Sequence, residues 1–205
     1  DSSATDGNGY GVYGQRFDAS GNALGSAFRA NTYTDSNQYE PDVAALKDGG
    51  YIVTWRSQGQ DLSGAGVYGQ RYDASGNTVG AEFRVNESTT GGQYQPDVTA
   101  LANGGFAVTW FNDSLLAGSY YDVFVREYDA SGAAVGGEVK VNTPNNNYQS
   151  QPAIAHLGSD NYVVAWTGDG NADGSGEGVF QQLFGTASEL PRQSNPQLGD
   201  FTGSV

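Results

Sequence analysis

The stretch "QYQPDVTALANGGFAVTW", residues 93–110, decides the fold class. Apolar and polar residues alternate on both sides of "ANGG", which is typical of two short strands joined by a tight turn. The stretch lacks the 3.6-residue apolar period of a helix. Its last residue, Trp110, lies between Trp55 and Trp166, at spacings of 55 and 56 residues. The sequence therefore predicts a strand-rich repeat.

A second segment that recurs along the chain completes the repeating unit. It reads "GVYGQRYDASGNTVGAEFRVN" at residues 66–86, with a turn signal in "DASGN" between two strand-like runs. Its copies begin at Val12, Val67, Val123 and Val179, and those of the first segment near Pro41, Pro96 and Pro152. Residues 1–185 thus hold three units and a partial fourth. Residues 186–205 leave the pattern, and we expect a linker or the start of a following module.

Each unit offers four short strands, so we predict an all-β fold of four-stranded, propeller-blade-like repeats. A propeller ordinarily has about 4 to 8 blades, more than the units in this sequence. A threefold prism or trefoil and a β-sandwich are therefore alternatives.

Composition excludes several classes of function. The 205-residue chain has 9 Lys and Arg against 23 Asp and Glu, a formal net charge of −14. Nucleic acid and anionic membranes would repel such a chain, whereas cations would be attracted. There is no Cys, so disulfides and thiolate metal sites are excluded. No apolar run approaches the roughly 20 residues that span a bilayer, and no membrane insertion is expected.

The stretch "GDGNADGSGEG", residues 168–178, is the strongest candidate site. Asp169, Asn171 and Asp173 have the alternating spacing of the first ligands in a D-x-[DN]-x-[DN]-G calcium loop. Ser175 and Glu177 add side-chain oxygens. The match to an EF-hand loop is incomplete, because Phe180 stands where the bidentate Glu is expected. We predict Ca²⁺ in this loop.

The repeat extends the calcium hypothesis to other loops. Asp6 and Asp61 lie at the same point of the unit as Asp173, five residues before a glycine, and Asn8 follows in the first copy. The remaining copy has Ala117 there. Asp6 and Asp61 also fit an Asx turn, in which the carboxylate accepts a backbone N–H. The candidate metal ligands are Asp6, Asn8, Asp61, Asp169, Asn171, Asp173, Ser175 and Glu177.

Other conspicuous residues fit the scaffold better than a site. The Gln-Arg pairs that end in Arg16 and Arg71 recur mid-strand. The tryptophans end an apolar strand in every unit, which favours core packing over stacking on a sugar. The "DASG" segments fit hairpin turns. His156, the only histidine, cannot build an ordinary zinc site, and no G-x-S-x-G elbow accompanies it. We therefore predict no enzymatic activity.

The unit "VYGQRYDASGN…GAEFRVN…QYQPDVTALANGGFAVTW…DGSGEGVF" resembles a repeat of large secreted bacterial adhesins of the hemolysin-type calcium-binding (RTX-like) class. The resemblance covers about residues 6–185. It implies a bacterial extracellular or cell-surface setting and calcium-dependent adhesion. Calcium carries over to Asp6, Asp61, Asp169, Asn171 and Asp173. A looser similarity to sialidase blades implies an arginine cluster, yet Arg16 and Arg71 simply follow the repeat.

These observations predict a non-enzymatic, extracellular calcium-binding module for adhesion or for surface or matrix assembly. One alternative is a lectin that binds glycans through Tyr and Trp at strand ends. A second is a fragment of a sialidase-like glycosidase. Self-association through open strand edges is a further expectation.

Overall fold

The structure, a computed structural model, describes residues 9–113, 121–143, 148–169 and 176–185, and every regular element in them is a β-strand. The strands are β1 (Tyr13–Phe17), β2 (Ala23–Arg29), β3 (Gln38–Ala45), β4 (Tyr51–Gln58), β5 (Ala65–Tyr72), β6 (Thr78–Arg84), β7 (Gln93–Ala100), β8 (Phe106–Asn112), β9 (Asp122–Tyr128), β10 (Val139–Lys140), β11 (Gln149–Gly158), β12 (Asn161–Asp169) and β13 (Glu177–Gly185). No helix that could span a bilayer occurs in these ranges. The predicted tail, residues 186–205, lies outside them.

The strands form four antiparallel sheets that follow chain order. We call them sheet 1 (β1–β2), sheet 2 (β3–β4–β5–β6), sheet 3 (β7–β8–β9–β10) and sheet 4 (β11–β12–β13). Sheets 2 and 3 each combine the segment that contains Pro41 or Pro96 with the segment that begins at Val67 or Val123 in the next unit. The sheet boundary therefore lies inside the unit that the sequence suggests. Each sheet is built from consecutive strands, and the linkers that cross between sheets follow β2, β6 and β10.

Consecutive sheets pack face to face over three apolar clusters. Trp55 lies between sheets 1 and 2, Trp110 between sheets 2 and 3, and Trp166 between sheets 3 and 4. All three are buried, so the prediction that they pack in the core is confirmed. The first strand of sheet 3, β7, contacts β3 on one side and β11 on the other. This is the packing of propeller blades, and it confirms the all-β, blade-like fold class.

Two arginines at equal positions of the repeat, Arg16 of β1 and Arg71 of β5, bind the next sheet. The Arg16 guanidinium donates through Nη2 to the carbonyl of Ala74, at 2.6 Å, and through Nη1 to that of Ser75. Arg71 repeats both bonds to Ala130 and Ser131, at 2.9 and 2.5 Å. The accepting carbonyls belong to "DASG" turns. Each of these turns therefore connects the two strands of its hairpin and also accepts hydrogen bonds from the neighbouring sheet. The scaffold interpretation of both arginines is confirmed.

A buried amide accepts a backbone N–H at the start of β1, β5 and β9, which are equal strands of the repeat. The Oδ1 atoms of Asn31, Asn86 and Asn142 each accept the N–H of a valine, at 2.8 Å, nineteen residues earlier in the chain. The Asn86 Nδ2 atom also donates to Oε1 of buried Gln93, at 2.9 Å. Because a buried backbone N–H without a partner is costly, the asparagine recurs in every unit.

Candidate functional site

Three bulges at equal positions of the repeat surround one cavity. The strands β3, β7 and β11 each change register at a residue that precedes proline. Those residues, Glu40, Gln95 and Gln151, have φ values of 52°, 50° and 53°. Such positive φ is uncommon for residues other than glycine and is often found at functional sites. The axial cavity, of about 440 Å³, is lined by Glu40, Pro41, Asp42, Gln95, Pro96, Asp97, Gln151 and Pro152.

Two carboxyl groups meet on the wall of the axial cavity. Oδ2 of Asp42 accepts the N–H of Val98 at 2.7 Å, and Oδ2 of Asp97 accepts the N–H of Ile154 at 2.8 Å. Each aspartate thereby joins its strand to the next sheet. Burial, and then a hydrogen bond with Asp42, raises the pKa of Asp97 to about 7. The Asp97 carboxyl therefore keeps its proton to a higher pH than an ordinary aspartate does. The third copy carries Ala153 instead.

The entrance to the cavity combines aromatic rings with a charge pair. The Arg56 guanidinium lies 4.6 Å from the ring centroid of Tyr39 and 5.2 Å from that of Tyr94. Its Nη1 atom is 3.4 Å from Oε1 of Glu40, whose Oε2 accepts the N–H of Gln95 at 2.8 Å. We call these five residues, Tyr39, Glu40, Arg56, Tyr94 and Gln95, the axial mouth.

Two polar atoms of the axial mouth are buried and have no hydrogen-bond partner within the described ranges: Nε of Arg56 and Oε1 of Gln95. One is a donor and the other an acceptor. Tyr94, in contrast, donates its hydroxyl to Oδ2 of Asp113 at 3.0 Å. Burial and this bond raise the pKa of Tyr94. Since buried polar groups are almost always paired, a polar ligand or an ordered water is a candidate partner for both atoms, as it is for the other unpartnered buried atoms, which include Nε of Arg71 and of Arg126.

The predicted calcium residue Asp61 lies in the turn between β4 and β5. Its Oδ1 accepts the N–H of Ser63 at 3.1 Å, which is the Asx turn that the sequence offered as the alternative. Its Oδ2 is buried and has no partner among the described residues. Leu62, next to it, has a φ of 68° and projects into solvent. The turn therefore accounts for one carboxylate oxygen of Asp61 and leaves the other unexplained.

The predicted loop "GDGNADGSGEG" joins β12 to β13. Asp169 and Glu177 stand directly opposite each other at the end of this hairpin that adjoins the loop, and both are exposed. Two like charges in a facing pair destabilise a sheet. The other predicted ligands, Asp6, Asn8, Asn171, Asp173 and Ser175, lie outside the described residues. Within the residues that are described, no three His, Cys, Asp or Glu side chains are grouped closely enough to hold a metal ion.

The sequence did not single out any residue of the axial mouth or the axial cavity, apart from the proline period. The recurring "Q-P-D" and "E-P-D" motifs were the available signal. His156, in contrast, is exposed, and its Nε2 lies 2.7 Å from the Ser159 carbonyl oxygen of its own hairpin. His156 therefore belongs neither to the axial mouth nor to the lining of the axial cavity.

No protein-family model matches the chain, and no curated protein matches it. Some solved structures are similar to part of this chain, and the chain spans less than two thirds of the length of the two described here. One, a Hadza microbial sialidase, Hz136, shares 14% identity over 64% of this chain and 32% of its own, with a TM-score of 0.47. An endo-arabinase from Bacteroides thetaiotaomicron VPI-5482 shares 9% identity over 76% of this chain and 61% of its own, with a TM-score of 0.48. Neither is an RTX-like adhesin.

Proposed function

We propose that the axial mouth binds a neutral carbohydrate without cleaving it. The observation that carries this proposal is the pair of buried, unpartnered atoms, Nε of Arg56 and Oε1 of Gln95, beside the rings of Tyr39 and Tyr94. A sugar hydroxyl both donates and accepts hydrogen bonds, so one ligand can serve an N–H and a carbonyl oxygen.

The charges around the mouth favour a neutral ligand over an acidic one. Arg56 is already paired with Glu40, and the cavity behind them holds Asp42 and Asp97. A sialic or uronic acid would bring its carboxylate towards these acidic groups, at a cost in affinity. The proposal therefore differs from the sialidase alternative, which needs several arginines free to hold a carboxylate.

Binding without cleavage is proposed from the state of the carboxyl groups. Glycosidases hold two carboxyls about 5 to 9.5 Å apart, one on each side of the bond that breaks. In the axial cavity, Asp42 and Asp97 hydrogen-bond to each other and to backbone N–H groups. Groups engaged in this way support the sheet packing and are poorly placed to attack a substrate. In this proposal Asp42 and Asp97 support the axial cavity, and the axial mouth binds the ligand.

The test is an array of neutral, sialylated and uronate-containing oligosaccharides, followed by calorimetric titration of the ligands that bind. We expect neutral ligands to bind, and R56K to weaken binding about 10- to 100-fold by losing a charge-assisted contact. R16K is the matched control, because Arg16 joins sheets away from the mouth, and it should leave affinity unchanged. Binding that is confined to acidic glycans, or equal loss in R16K, would contradict the proposal, and release of shorter sugars would contradict non-enzymatic binding.

A second candidate function is calcium binding, favoured by two specific observations. Oδ2 of Asp61 is buried with no partner in the described ranges, and Asp169 faces Glu177 across the end of a hairpin. A divalent cation would bind Oδ2 of Asp61 in the first case. In the second case it would relieve the repulsion between Asp169 and Glu177. Extracellular calcium modules often bind with dissociation constants of about 10⁻⁴ to 10⁻³ M, which suits the secreted adhesion setting that the sequence suggests.

Calcium binding predicts a calcium-dependent melting temperature. At about 100 times its dissociation constant, calcium would stabilise the fold by roughly 2.7 kcal/mol. In D169N the repulsion with Glu177 is removed, so we expect unchanged or slightly higher stability in chelator and a reduced shift on adding calcium. D35N alters an exposed carboxylate elsewhere and should keep the full shift. Thermal unfolding of wild type, D169N and D35N, in chelator and in calcium, tests this expectation. The calcium proposal is wrong if calcium changes the melting temperature of none of the three proteins.

A further inference from the structure

We propose that Ca²⁺ binds Oδ2 of Asp61 together with Oγ of Ser57, at the turn end of the β4–β5 hairpin. There it supplies the positive charge that a lysine supplies at the equal place in sheet 3. The proposal rests on calcium binding, the second candidate function above, and assigns it a site; it is independent of ligand binding at the axial mouth. Its basis is a comparison of two equal places of the repeat, both within the described residues.

In the sequence, each copy of the repeat carries one aspartate at one of two positions, which are five residues apart. The first position lies in the loop before the strand and is occupied by Asp6, Asp61, Ala117 and Asp173. The second lies at the start of the strand and is occupied by Gly11, Gly66, Asp122 and Gly178. The copy that has alanine in the loop is thus the copy that has aspartate on the strand. This exchange indicates that both positions bring a carboxylate to the same point of the fold.

The structure places the two carboxylates at equal points of sheets 2 and 3. Oδ2 of Asp61 is 3.1 Å from the position that a Cβ atom on Gly66 would occupy, and Oδ1 of Asn86 is 3.4 Å from it. In sheet 3 the equal amide, that of Asn142, donates to Oδ1 of Asp122 at 2.9 Å. The Asp61 carboxylate therefore reaches from its loop to the place that Asp122 fills from the strand itself.

The two carboxylates differ in their counter-charge. Oδ2 of Asp122 is 2.7 Å from Nζ of Lys140. The equal residue in sheet 2 is Arg84, whose Nε donates instead to the carbonyl oxygen of Asn86 at 3.0 Å. Oδ2 of Asp61 is buried and has no hydrogen-bond partner in the described part of the chain. Because a buried carboxylate without a counter-charge is costly, sheet 2 has a place for a cation that the chain does not itself supply.

A fully buried hydroxyl lies on the same side of the hairpin. Ser57 is 0% exposed and pairs directly with Gly66, so its side chain and the Cβ position of Gly66 are on one face of the sheet. Among the described residues, its Oγ has no hydrogen-bond partner, and neither has the buried Oε1 of Gln60, which precedes Asp61. Carboxylate, hydroxyl and amide oxygens suit a hard cation, and Ca²⁺ completes its six to eight ligands with backbone carbonyls and water. An ordered water alone would leave the carboxylate charge unbalanced.

The test is a titration of the ¹⁵N-labelled full chain with calcium chloride, followed through the backbone amide signals of Ser63, Gly66 and Val67. We expect saturable shifts with a dissociation constant of about 10⁻⁴ to 10⁻³ M, because affinity depends on the number of charged ligands and the site has one carboxylate. D61N should abolish these shifts, and S57A should weaken binding about three- to tenfold.

The matched control is D48N, which alters an exposed carboxylate at the opposite end of β4. Its amide oxygen can still accept the N–H of Gly50, as Oδ1 of Asp48 does in the wild type. We expect D48N to bind calcium like the wild type.

A second set of variants moves the carboxylate from the loop to the strand. D61A should lose calcium binding at this site, and D61A/G66D should regain it, because the aspartate then stands where sheet 3 carries Asp122. Adding R84K supplies the ammonium found in sheet 3, so D61A/G66D/R84K should lose the calcium response again.

Calcium-dependent shifts at the three amides that persist in D61N would overturn the proposal, and so would binding that R84K leaves unchanged in D61A/G66D. Shifts confined to Asp169 and Glu177 would also overturn it, while calcium binding itself would stand. A chain that shows no response to calcium at any amide would contradict both.

Discussion

At the scale of single residues, the most unusual group is the carboxyl of Asp97. Its pKa is raised to about 7 by burial and by the hydrogen bond with Asp42, while an unfolded aspartate titrates near 3.9. Between about pH 4 and 7 the folded protein therefore binds more protons than the unfolded chain. In that window stability falls as pH rises, and above pH 7 this contribution is constant.

We predict that D97N removes this pH dependence. Allowing for screening by solvent, the wild type should lose roughly 1 to 2 kcal/mol of unfolding free energy from this group between pH 4.5 and 7.5. The variant should show a flatter profile, because an amide does not titrate. D35N, which changes an exposed carboxylate, is the control. Urea unfolding at several pH values measures the difference, and parallel profiles for D97N and wild type would show that the group does not titrate in this window.

Residue roles were only partly predictable from the sequence. The burial of Trp55, Trp110 and Trp166 follows from their place at the end of apolar strands, and the inter-sheet role of Arg16 follows from its recurrence. The positive φ of Glu40 and the pairing of Asp42 with Asp97 do not, because both depend on the packing of strands from different sheets. A period in the sequence marks equal positions but not which of them converge on an axis.

At the scale of elements, the strands and turns were predictable and their grouping was not. Alternating residues and the "DASG" and "ANGG" turns identify the hairpins. The sequence alone does not predict that the "FAVTW" strand pairs with the first strand of the next unit, which follows it after a loop. The buried amides that stabilise this connection, such as Asn86 and Gln93, look like ordinary loop residues in the sequence.

We predict that N86A destabilises the fold strongly. The substitution leaves the buried N–H of Val67 without its acceptor and Oε1 of Gln93 without a donor. The expected loss is about 2 to 4 kcal/mol, or roughly 5 to 15 °C in melting temperature. The control is N77A in the exposed turn of the same unit, where the loss should be under about 1 kcal/mol. Similar losses in both variants would show that burial of the amide is not the cause.

At the scale of the whole molecule, the fold brings residues from different sheets together at the axial mouth. The sequence pointed to the acidic loops, and Asp61, Asp169 and Glu177 keep a calcium hypothesis testable. The axial mouth was missed because its five residues come from β3, β4 and β7, and the "QYEPD" and "QYQPD" motifs that contain four of them do not indicate that these strands lie side by side. Only the assembled sheets bring the rings, the guanidinium and the amide together.

The most direct measurement is the map of backbone amide chemical shifts on titrating the chain with a neutral oligosaccharide selected by the array. The account predicts that the largest saturable changes occur at Tyr39, Glu40, Arg56, Tyr94 and Gln95, and that they disappear in R56K. Changes confined to the loops around Asp61 and Asp169, or none at the axial mouth, would contradict it.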